Sequence, residues 1–276
     1  MHVTGYLRFS FLGRSDTKNY GSMSGDLDLV ANALFSKERM ESRFSLFEQI
    51  CLPSLRAQTD PEFDLIILAS HSMPTEFKDR LLSVTRDVKQ IKVVFEDVKT
   101  VKQALKPLTR KIVSNTDQNT VHFRFDDDDA LSCHYIERLK RAAVNLEPGT
   151  LLSFARGIQV HTEQDETLVF PVVLPFIAIG WARVNAPGDI RTPYHFNHQG
   201  AGNNNPHVVD RESLAFVHTI HGASDSIERK RARLDRKRML ANAFDTSDER
   251  PRINEEFERE FKFGSLDDLK KMFQAL

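Results

Sequence analysis

Four consecutive aspartates, Asp126 to Asp129, follow the apolar segment 121–125 near the middle of this chain. Carboxylates at the end of a buried strand repel each other, and two of them about 4 Å apart cost on the order of 4 kcal/mol at an effective dielectric near 20. A cation relieves this repulsion. Oxygen ligands suit Mg²⁺ or Mn²⁺, which usually bind one or two carboxylates together with the phosphates of a substrate. We therefore expect a divalent metal at this run.

The four aspartates are not expected to act alike, because side chains alternate along an extended segment. Arg124, Asp126 and Asp128 then share one side, so that Arg124 orients Asp126 while Asp128 reaches the metal. Asp127 points away from the site. Two alternatives stay open: Arg124 and Asp126 form a simple buried ion pair, or the acidic run is a turn that caps the next helix, a role for which Ser132 is already available.

The elements around this run predict an α/β fold. Strand-like segments alternate with helical patterns through the first half of the chain, a rhythm that builds a mostly parallel sheet with helices on its faces. The aspartates then lie at the carboxyl end of a strand, where open α/β sheets bind ligands. The predicted strands are 7–12, 63–69, 91–95 and 121–125, and the predicted helices are 44–55 with a kink at Pro53, 101–113 and 132–146.

The second half of the chain has a different pattern and predicts a β-hairpin elaboration followed by C-terminal helices. Segment 187–206 has little periodicity, and its polar part 199–206 is expected to be mobile or to form a lid. The predicted hairpin pairs 151–161 with 167–173, and the predicted helices are 226–243, rich in Arg and Lys, and one or two amphipathic helices in 255–276 that pack on the core.

Composition excludes several classes of protein. The 38 basic and 39 acidic side chains give a formal charge of −1, which argues against a dedicated nucleic-acid binder. Cys51 and Cys133 form no C-x-x-C pair, as expected in a reducing cytoplasm. The sequence shows neither a secretory signal nor an apolar stretch of transmembrane length, so we expect a cytoplasmic protein.

The glycine motifs of nucleotide-binding proteins are missing: the chain contains neither G-x-G-x-x-G nor G-x-x-x-x-G-K-[ST]. This disfavours a dinucleotide oxidoreductase and a P-loop enzyme. A sheet of mononucleotide-binding type with an acidic cluster suits transfer from a nucleotide diphosphate donor, in which a metal stabilises the diphosphate as leaving group.

Segment 123–131, Phe-Arg-Phe-Asp-Asp-Asp-Asp-Ala-Leu, resembles the Asp-x-Asp segment of glycosyltransferases with the GT-A fold. Residues 3 to 225 resemble the bacterial rhamnosyltransferase family, through Leu-Arg-Phe-Ser at 7–10 and most specifically through block 43–60. That block contains Arg-Phe-Ser-Leu-Phe-Glu at 43–48 and Cys-Leu-Pro-Ser-Leu-Arg-Ala-Gln-Thr-Asp at 51–60. We expect a GT-A-like (Rossmann-like) domain over 1–225, with a nucleotide-sugar-binding half (1–146) and an acceptor-side half (147–225), and a helical extension over 226–276.

The resemblance implies sugar transfer from a nucleotide diphosphate donor to a glycan or lipid-linked acceptor, as in polysaccharide biosynthesis, with Mn²⁺ or Mg²⁺. It also implies that Asp126 contacts the ribose or base side of the donor and that Asp128 coordinates the metal, with Asp129 as the alternative ligand. A histidine from the distal half completes the metal shell in such enzymes. His218 and His221 are candidates, and we prefer His221 because Gly222 after it allows close approach.

Further residues are candidates for binding and catalysis. Arg8 and Arg43 suit contacts with the diphosphate or the base, and the alternative for both is a salt bridge, which we favour for Arg43. An inverting transfer needs a base that deprotonates the acceptor hydroxyl. Asp210, Glu212 and His207 follow the polar loop and are the candidates for this base.

Cluster 229–238 is dense in Arg and Lys, which suits peripheral contact with the inner face of a membrane or with a lipid-linked acceptor. A solvated helix face is the favoured alternative. Two rival functions stay open: a metal-dependent phosphohydrolase or nucleotidyltransferase, which also uses paired carboxylates, and a non-catalytic module that binds a nucleotide sugar or a glycan.

Overall fold

Parallel strands form the first half of the sheet. The computed structural model describes residues 1–13, 27–98, 100–163, 166–221 and 234–275. The strands lie in the order β3-β2-β1-β4, so the carboxyl ends of β1 and β4 are adjacent and Arg8 is paired with Asp126. Their bounds are β1 (His2–Arg8), β2 (Asp64–Ser70), β3 (Ile91–Glu96) and β4 (Thr120–Asp126).

The second half of the sheet is mixed. Its strands are β5 (Ala130–Leu131), β6 (Leu151–Glu163), β7 (Glu166–Val173), β8 (Ala182–Asn185) and β9 (His207–Ile220). The order continues β4-β8-β6-β9-β5, with β8 antiparallel to both of its neighbours, β9 parallel to β6, and β7 antiparallel to β6. The predicted α/β class and the predicted hairpin are confirmed, and the parallel arrangement holds through the first half.

Helices cover the sheet. They are α1 (Leu27–Leu34), α2 (Lys37–Leu46), α3 (Leu52–Arg56), α4 (Thr75–Thr85), α5 (Val101–Val113), α6 (Tyr135–Ala143), α7 (Leu234–Asp245), α8 (Arg250–Glu260) and α9 (Leu266–Ala275). One face of β1 and β2 packs in a core with α2, α4 and α6, and the opposite face packs against α5. Because both faces are buried, β2 is a nearly continuous apolar run. No described helix is long and apolar enough to cross a membrane.

Two element boundaries differ from the prediction. The first strand covers His2–Arg8 and not 7–12. Phe9 and Phe11 are buried beyond the end of the strand, and an apolar residue indicates burial without indicating strand pairing. The helix predicted over 44–55 is interrupted before Pro53, by a π-helical turn at Phe47–Cys51. Pro53 is the second residue of α3, directly after this turn.

Ser132 does not occupy the predicted N-cap. The helix begins at Tyr135 after His134, and the Ser132 hydroxyl oxygen accepts a hydrogen bond from the His134 N–H (3.1 Å). The same hydroxyl donates to Glu260 Oε2 (2.6 Å), which links α8 to this part of the chain. The serine side chain is therefore used in a tertiary contact.

Segment 187–206 contains two short 3₁₀ turns, Pro193–His195 and His198–Asn203. Ala201 is buried in a cluster with Phe176 and Trp181. The part that we predicted as a mobile loop or lid is thus anchored to the sheet by apolar packing.

The C-terminal helices pack on the core, as predicted. Phe244 of α7, Phe257 of α8 and Phe273 of α9 share a second core cluster with residues of β6, β7 and β9. The boundary that we predicted between residues 225 and 226, and the first part of the predicted helix 226–243, lie outside the described residues.

Candidate active site

The aspartate run forms the connection between β4 and β5. Strand β5 pairs with β9, Ala130 opposite Val217, so the residues before β5 meet the residues after Val217. This antiparallel pairing brings the end of β9, with Thr219 and His221, beside the aspartates. The site therefore lies at the carboxyl end of β4, as the sequence predicts.

Asp127 is turned into the protein. Its side chain is 1% exposed, and both carboxylate oxygens accept hydrogen bonds from the Arg43 guanidinium, with 2.9 Å between Arg43 Nε and Asp127 Oδ2. Burial and the neighbouring aspartates raise the pKa of Asp127, while Arg43 opposes this. Arg43 was a candidate for donor binding, but its guanidinium is committed to this buried ion pair, the alternative that we favoured.

Asp128 faces His221. The distance from Asp128 Oδ2 to His221 Nε2 is 3.1 Å, and the two side chains are 20% and 9% exposed. Burial raises the pKa of Asp128, but the hydrogen bond and charge of His221 and the charge of Arg43 outweigh it and hold that pKa below its usual range. The other candidate histidine, His218, has its ring 2.9 Å from the Gln159 amide nitrogen.

Asp129 is buried and connects the run to β9. Its Oδ1 accepts a hydrogen bond from the Thr219 backbone N–H (2.8 Å), and the Thr219 hydroxyl donates to the Asp128 carbonyl oxygen (2.8 Å). These two bonds align the end of β9 with the acidic loop. The geometry is that of a positioning residue, since the Asp129 side chain is only 3% exposed.

Asp126 is the more open carboxylate. Its side chain is 32% exposed and forms an ion pair with Arg124 at 3.1 Å. The Arg124 guanidinium also lies over the Tyr194 ring, 4.8 Å from its centroid, and Arg8 is the register partner of Asp126 on β1. Arg8, Arg124 and Asp126 therefore stand together at one end of the sheet, beside the Asp128–His221 pair.

The donor set at Asp128 and His221 fits a divalent ion. Carboxylate oxygen and imidazole nitrogen are ligands for Mn²⁺-like ions. Two neighbouring ligands at about 2.1 Å from an octahedral ion lie about 3 Å apart, close to the separation of these two atoms. Among the described residues no group of three His, Cys, Asp or Glu side chains is arranged to hold a metal. A metal here would take its remaining ligands from substrate and water.

The three candidate bases lie elsewhere. His207, Asp210 and Glu212 are in the first part of β9, and its last residue but one, Thr219, meets the aspartates. On the neighbouring strand β6, Asp210 is paired with Phe154 and Thr219 with Val160, six residues further on, which at about 3.3 Å per residue is about 20 Å. Asp210 also accepts bonds from the Glu212 and Ser213 N–H groups. The placement separates these residues from the Asp128–His221 pair.

The described part of the basic cluster contacts the hairpin. Arg238 forms an ion pair with Glu166 at 2.8 Å, and Lys237 Nζ lies 2.9 Å from His161 Nδ1. Residues 229–233 lie outside the described part of the chain. Arg238 and Lys237 therefore take part in contacts within the protein, and both the membrane contact and the solvated helix face stay predictions.

Sequence reasoning missed Thr219 and Tyr194. Thr219 lies between the two candidate histidines, and its role follows from the β5–β9 pairing. Tyr194 lies in an aperiodic segment that has no sequence signal for a site. Both depend on contacts between residues far apart in the chain.

Residues 2–233 match the model of a family described as "Putative rhamnosyl transferase". The match covers most of the chain, so this protein belongs to that family, which is one of glycosyltransferases. This confirms the family resemblance of the sequence. No curated protein matches the chain.

Solved structures with a similar arrangement include S. aureus TarS residues 1–349 in complex with UDP. It is 12% identical, with a TM-score of 0.39, and the alignment covers 94% of this chain and 72% of that one. A mannosyltransferase from Pyrobaculum calidifontis, in complex with GDP-Man and Mn²⁺, is 11% identical with a TM-score of 0.42, covering 99% and 68%. Both TM-scores are below 0.5.

Proposed function

We propose that this protein is a metal-dependent glycosyltransferase that moves a sugar, with rhamnosyl as the first candidate, from a nucleotide diphosphate donor to a glycan or lipid-linked acceptor. The observation that carries this proposal is the 3.1 Å approach of Asp128 and His221 at the carboxyl end of β4. Membership of the family supports sugar transfer as the reaction class. The carboxylate and imidazole groups are ligand types that divalent metals prefer, which supports the requirement for a cation.

Each residue of the site has a separate role in this proposal. Asp128 and His221 hold the metal, which neutralises charge on the diphosphate leaving group when it is bound. Asp126 and Arg8 line the adjacent donor site, where a carboxylate accepts from hydroxyls and a guanidinium donates to phosphate oxygens. Asp129 positions the end of β9. The buried ion pair between Asp127 and Arg43 stabilises the loop that carries the aspartates.

The test is metal-linked donor binding in Asp128→Asn. Thermal unfolding is measured with UDP, GDP, dTDP, UDP-glucose, GDP-mannose and dTDP-rhamnose, each with and without Mn²⁺. A ligand at 100 times its Kd adds about 2.7 kcal/mol to stability, which gives a clear shift for the wild type. Asp128→Asn should lose the Mn²⁺-dependent part of the shift and the transferase activity while remaining folded, because the variant removes a ligand and some of the self-repulsion.

Asp64→Asn is the matched control. Asp64 begins β2 at the opposite end of the same sheet and pairs with His2 at 3.0 Å. This variant should keep the Mn²⁺-dependent shift. Full metal-dependent turnover in Asp128→Asn would show that the metal assignment is wrong.

Product analysis separates the rival functions. A transferase releases a nucleoside diphosphate only when an acceptor is present, whereas a phosphohydrolase or nucleotidyltransferase releases phosphate, pyrophosphate or nucleoside monophosphate. A non-catalytic binding module would show the thermal shift and no turnover with any acceptor. Absence of a metal-dependent shift with every nucleotide would contradict the proposed donor site.

A further inference from the structure

Two buried hydrogen-bond donors near the carboxyl end of β4 have no partner among the described residues. The hydroxyl of Tyr194 and the Nε–H of Arg124 are buried, and neither bonds to any described part of the chain. A buried polar group without a partner costs about 1–3 kcal/mol. Such groups therefore need an explanation, and a ligand that bonds to them is one.

The two groups belong to one small cluster. The Arg124 guanidinium lies over the Tyr194 ring at 4.8 Å and contacts Asp126 at 3.1 Å. The charges of Arg124, Asp126 and Arg8, at the carboxyl ends of β1 and β4, act on the Tyr194 hydroxyl. Arg124 contacts both the Tyr194 ring and Asp126, the carboxylate that we assign to the donor site.

The turn Pro193–His195 positions this tyrosine. Thr192 N–H donates to the His195 ring nitrogen Nδ1 (3.0 Å), which closes the turn. The Tyr194 ring packs against the apolar cluster on the α5 face, with Phe11 and Leu105. The ring is therefore held by packing, and its hydroxyl could be removed without loss of a protein hydrogen bond.

We infer that Tyr194 and Arg124 recognise an oxygen atom of the donor's nucleoside, as specificity-determining neighbours of Asp126. This inference rests on the proposed function. The Tyr194 O–H and the Arg124 Nε–H are both donors that need an acceptor oxygen, and a nucleoside offers such oxygens on its ribose and on its base. Since the hydroxyl is buried, binding includes a small shift of residues 193–195 that admits the nucleoside.

The experiment measures the affinity of Tyr194→Phe for UDP, GDP and dTDP and for the 2′-deoxy counterparts of UDP and GDP, all with Mn²⁺, together with the stability of the free protein. The variant should bind the nucleotide preferred by the wild type roughly fivefold more weakly, the effect of one neutral hydrogen bond. Its melting temperature without ligand should equal or exceed that of the wild type, because the variant removes an unpartnered hydroxyl.

Tyr6→Phe is the matched control. Tyr6 is buried on the same face of the sheet, but its hydroxyl bonds to His122 Nδ1 (2.8 Å) and lies 3.2 Å from Thr109 Oγ1. The control should lower stability and leave nucleotide affinity unchanged. The two tyrosines therefore have opposite expected effects on stability and binding.

The 2′-deoxy nucleotides identify the oxygen. If it is the ribose 2′ oxygen, the 2′-deoxy form binds the wild type more weakly and Tyr194→Phe adds no further loss. If the oxygen is elsewhere on the nucleoside, the variant weakens both forms equally. Unchanged affinity in Tyr194→Phe, or a loss of stability like that of Tyr6→Phe, would overturn the inference while leaving the metal site intact. Failure of the wild type to bind any nucleotide would overturn the proposed function and this inference with it.

Discussion

At the scale of single residues, four identical side chains have four different environments. Asp126 is one-third exposed, Asp128 faces His221, and Asp127 and Asp129 are buried with partners from α2 and β9. Strand alternation predicts that Asp127 turns away from Asp126 and Asp128, and the structure places it so. The identity of its partner is set by the fold, because Arg43 lies 84 residues earlier in the chain.

The buried ion pair gives a prediction on stability. Asp127→Ala should lower the free energy of unfolding by about 3–5 kcal/mol, because it leaves the Arg43 charge buried without its carboxylate. Urea unfolding followed by circular dichroism measures this change.

Asp87→Ala is the control for this prediction. Asp87 forms an ion pair with Arg56 at 2.7 Å, but its side chain is 65% exposed, so solvent screens the interaction. The control should change stability far less. Equal effects of the two substitutions would show that the buried Arg43–Asp127 pair contributes no more to stability than an exposed ion pair.

At the scale of elements, the pairing of the two-residue strand β5 with β9 assembles the site. Without it the aspartates at the end of β4 and the histidine after β9 would not meet. The sequence indicates β4 clearly, through its apolar run. It has no comparable signal for β5, because a two-residue strand is too short to show a period.

A buried hydrogen-bond network connects β4 to β1. The Nδ1 atom of His122 is hydrogen-bonded to the Tyr6 hydroxyl and its Nε2 atom to Thr120 Oγ1, both at 2.8 Å. Burial lowers the pKa of His122 to about 3 from its usual 6.5. The folded protein therefore holds this ring neutral where the unfolded chain protonates it.

The consequence is a pH dependence of stability. Between pH 6.5 and about 3 the unfolded state binds a proton at His122 that the folded state does not, so stability falls as the pH falls. The loss from this group is about 1.4 kcal/mol per pH unit below pH 6.5. Urea unfolding of wild type and His122→Gln at pH 7.5, 6.0 and 5.0 measures it. The variant should be less stable at pH 7.5 and should show a shallower slope, and parallel slopes would contradict the assignment.

At the scale of the whole molecule, the C-terminal helices belong to the same folded body as the sheet. Ser132, beside β5, and Arg138 of α6 both bond to Glu260 of α8, with 2.7 Å between Arg138 Nη2 and Glu260 Oε1. The sequence predicts that these helices pack on the core, because their apolar residues are periodic. It does not predict that they lie against the strands that hold His221.

Because the core is shared, we expect one cooperative unfolding transition. Phe257 is fully buried between α8 and the sheet, and Phe257→Ala should lower stability by about 3–5 kcal/mol. Met239 on α7 is 73% exposed, and Met239→Ala should stay within about 0.5 kcal/mol of the wild type. Calorimetry should show a single transition in each case. A separate early transition in Phe257→Ala would show that the C-terminal helices unfold independently.

The sequence by itself determined which side chains form the candidate site and which element they follow. They are carboxylates at the end of a buried strand, in an α/β chain with the pattern of a glycosyltransferase family. Those features are local, because composition and strand alternation act over a few residues. Only the tertiary structure decided the partners. Asp128 meets His221 across 93 residues of chain, and strand order and register alone set such contacts. For the same reason the candidate bases on β9 lie far from the aspartates, although His221 follows the end of that same strand.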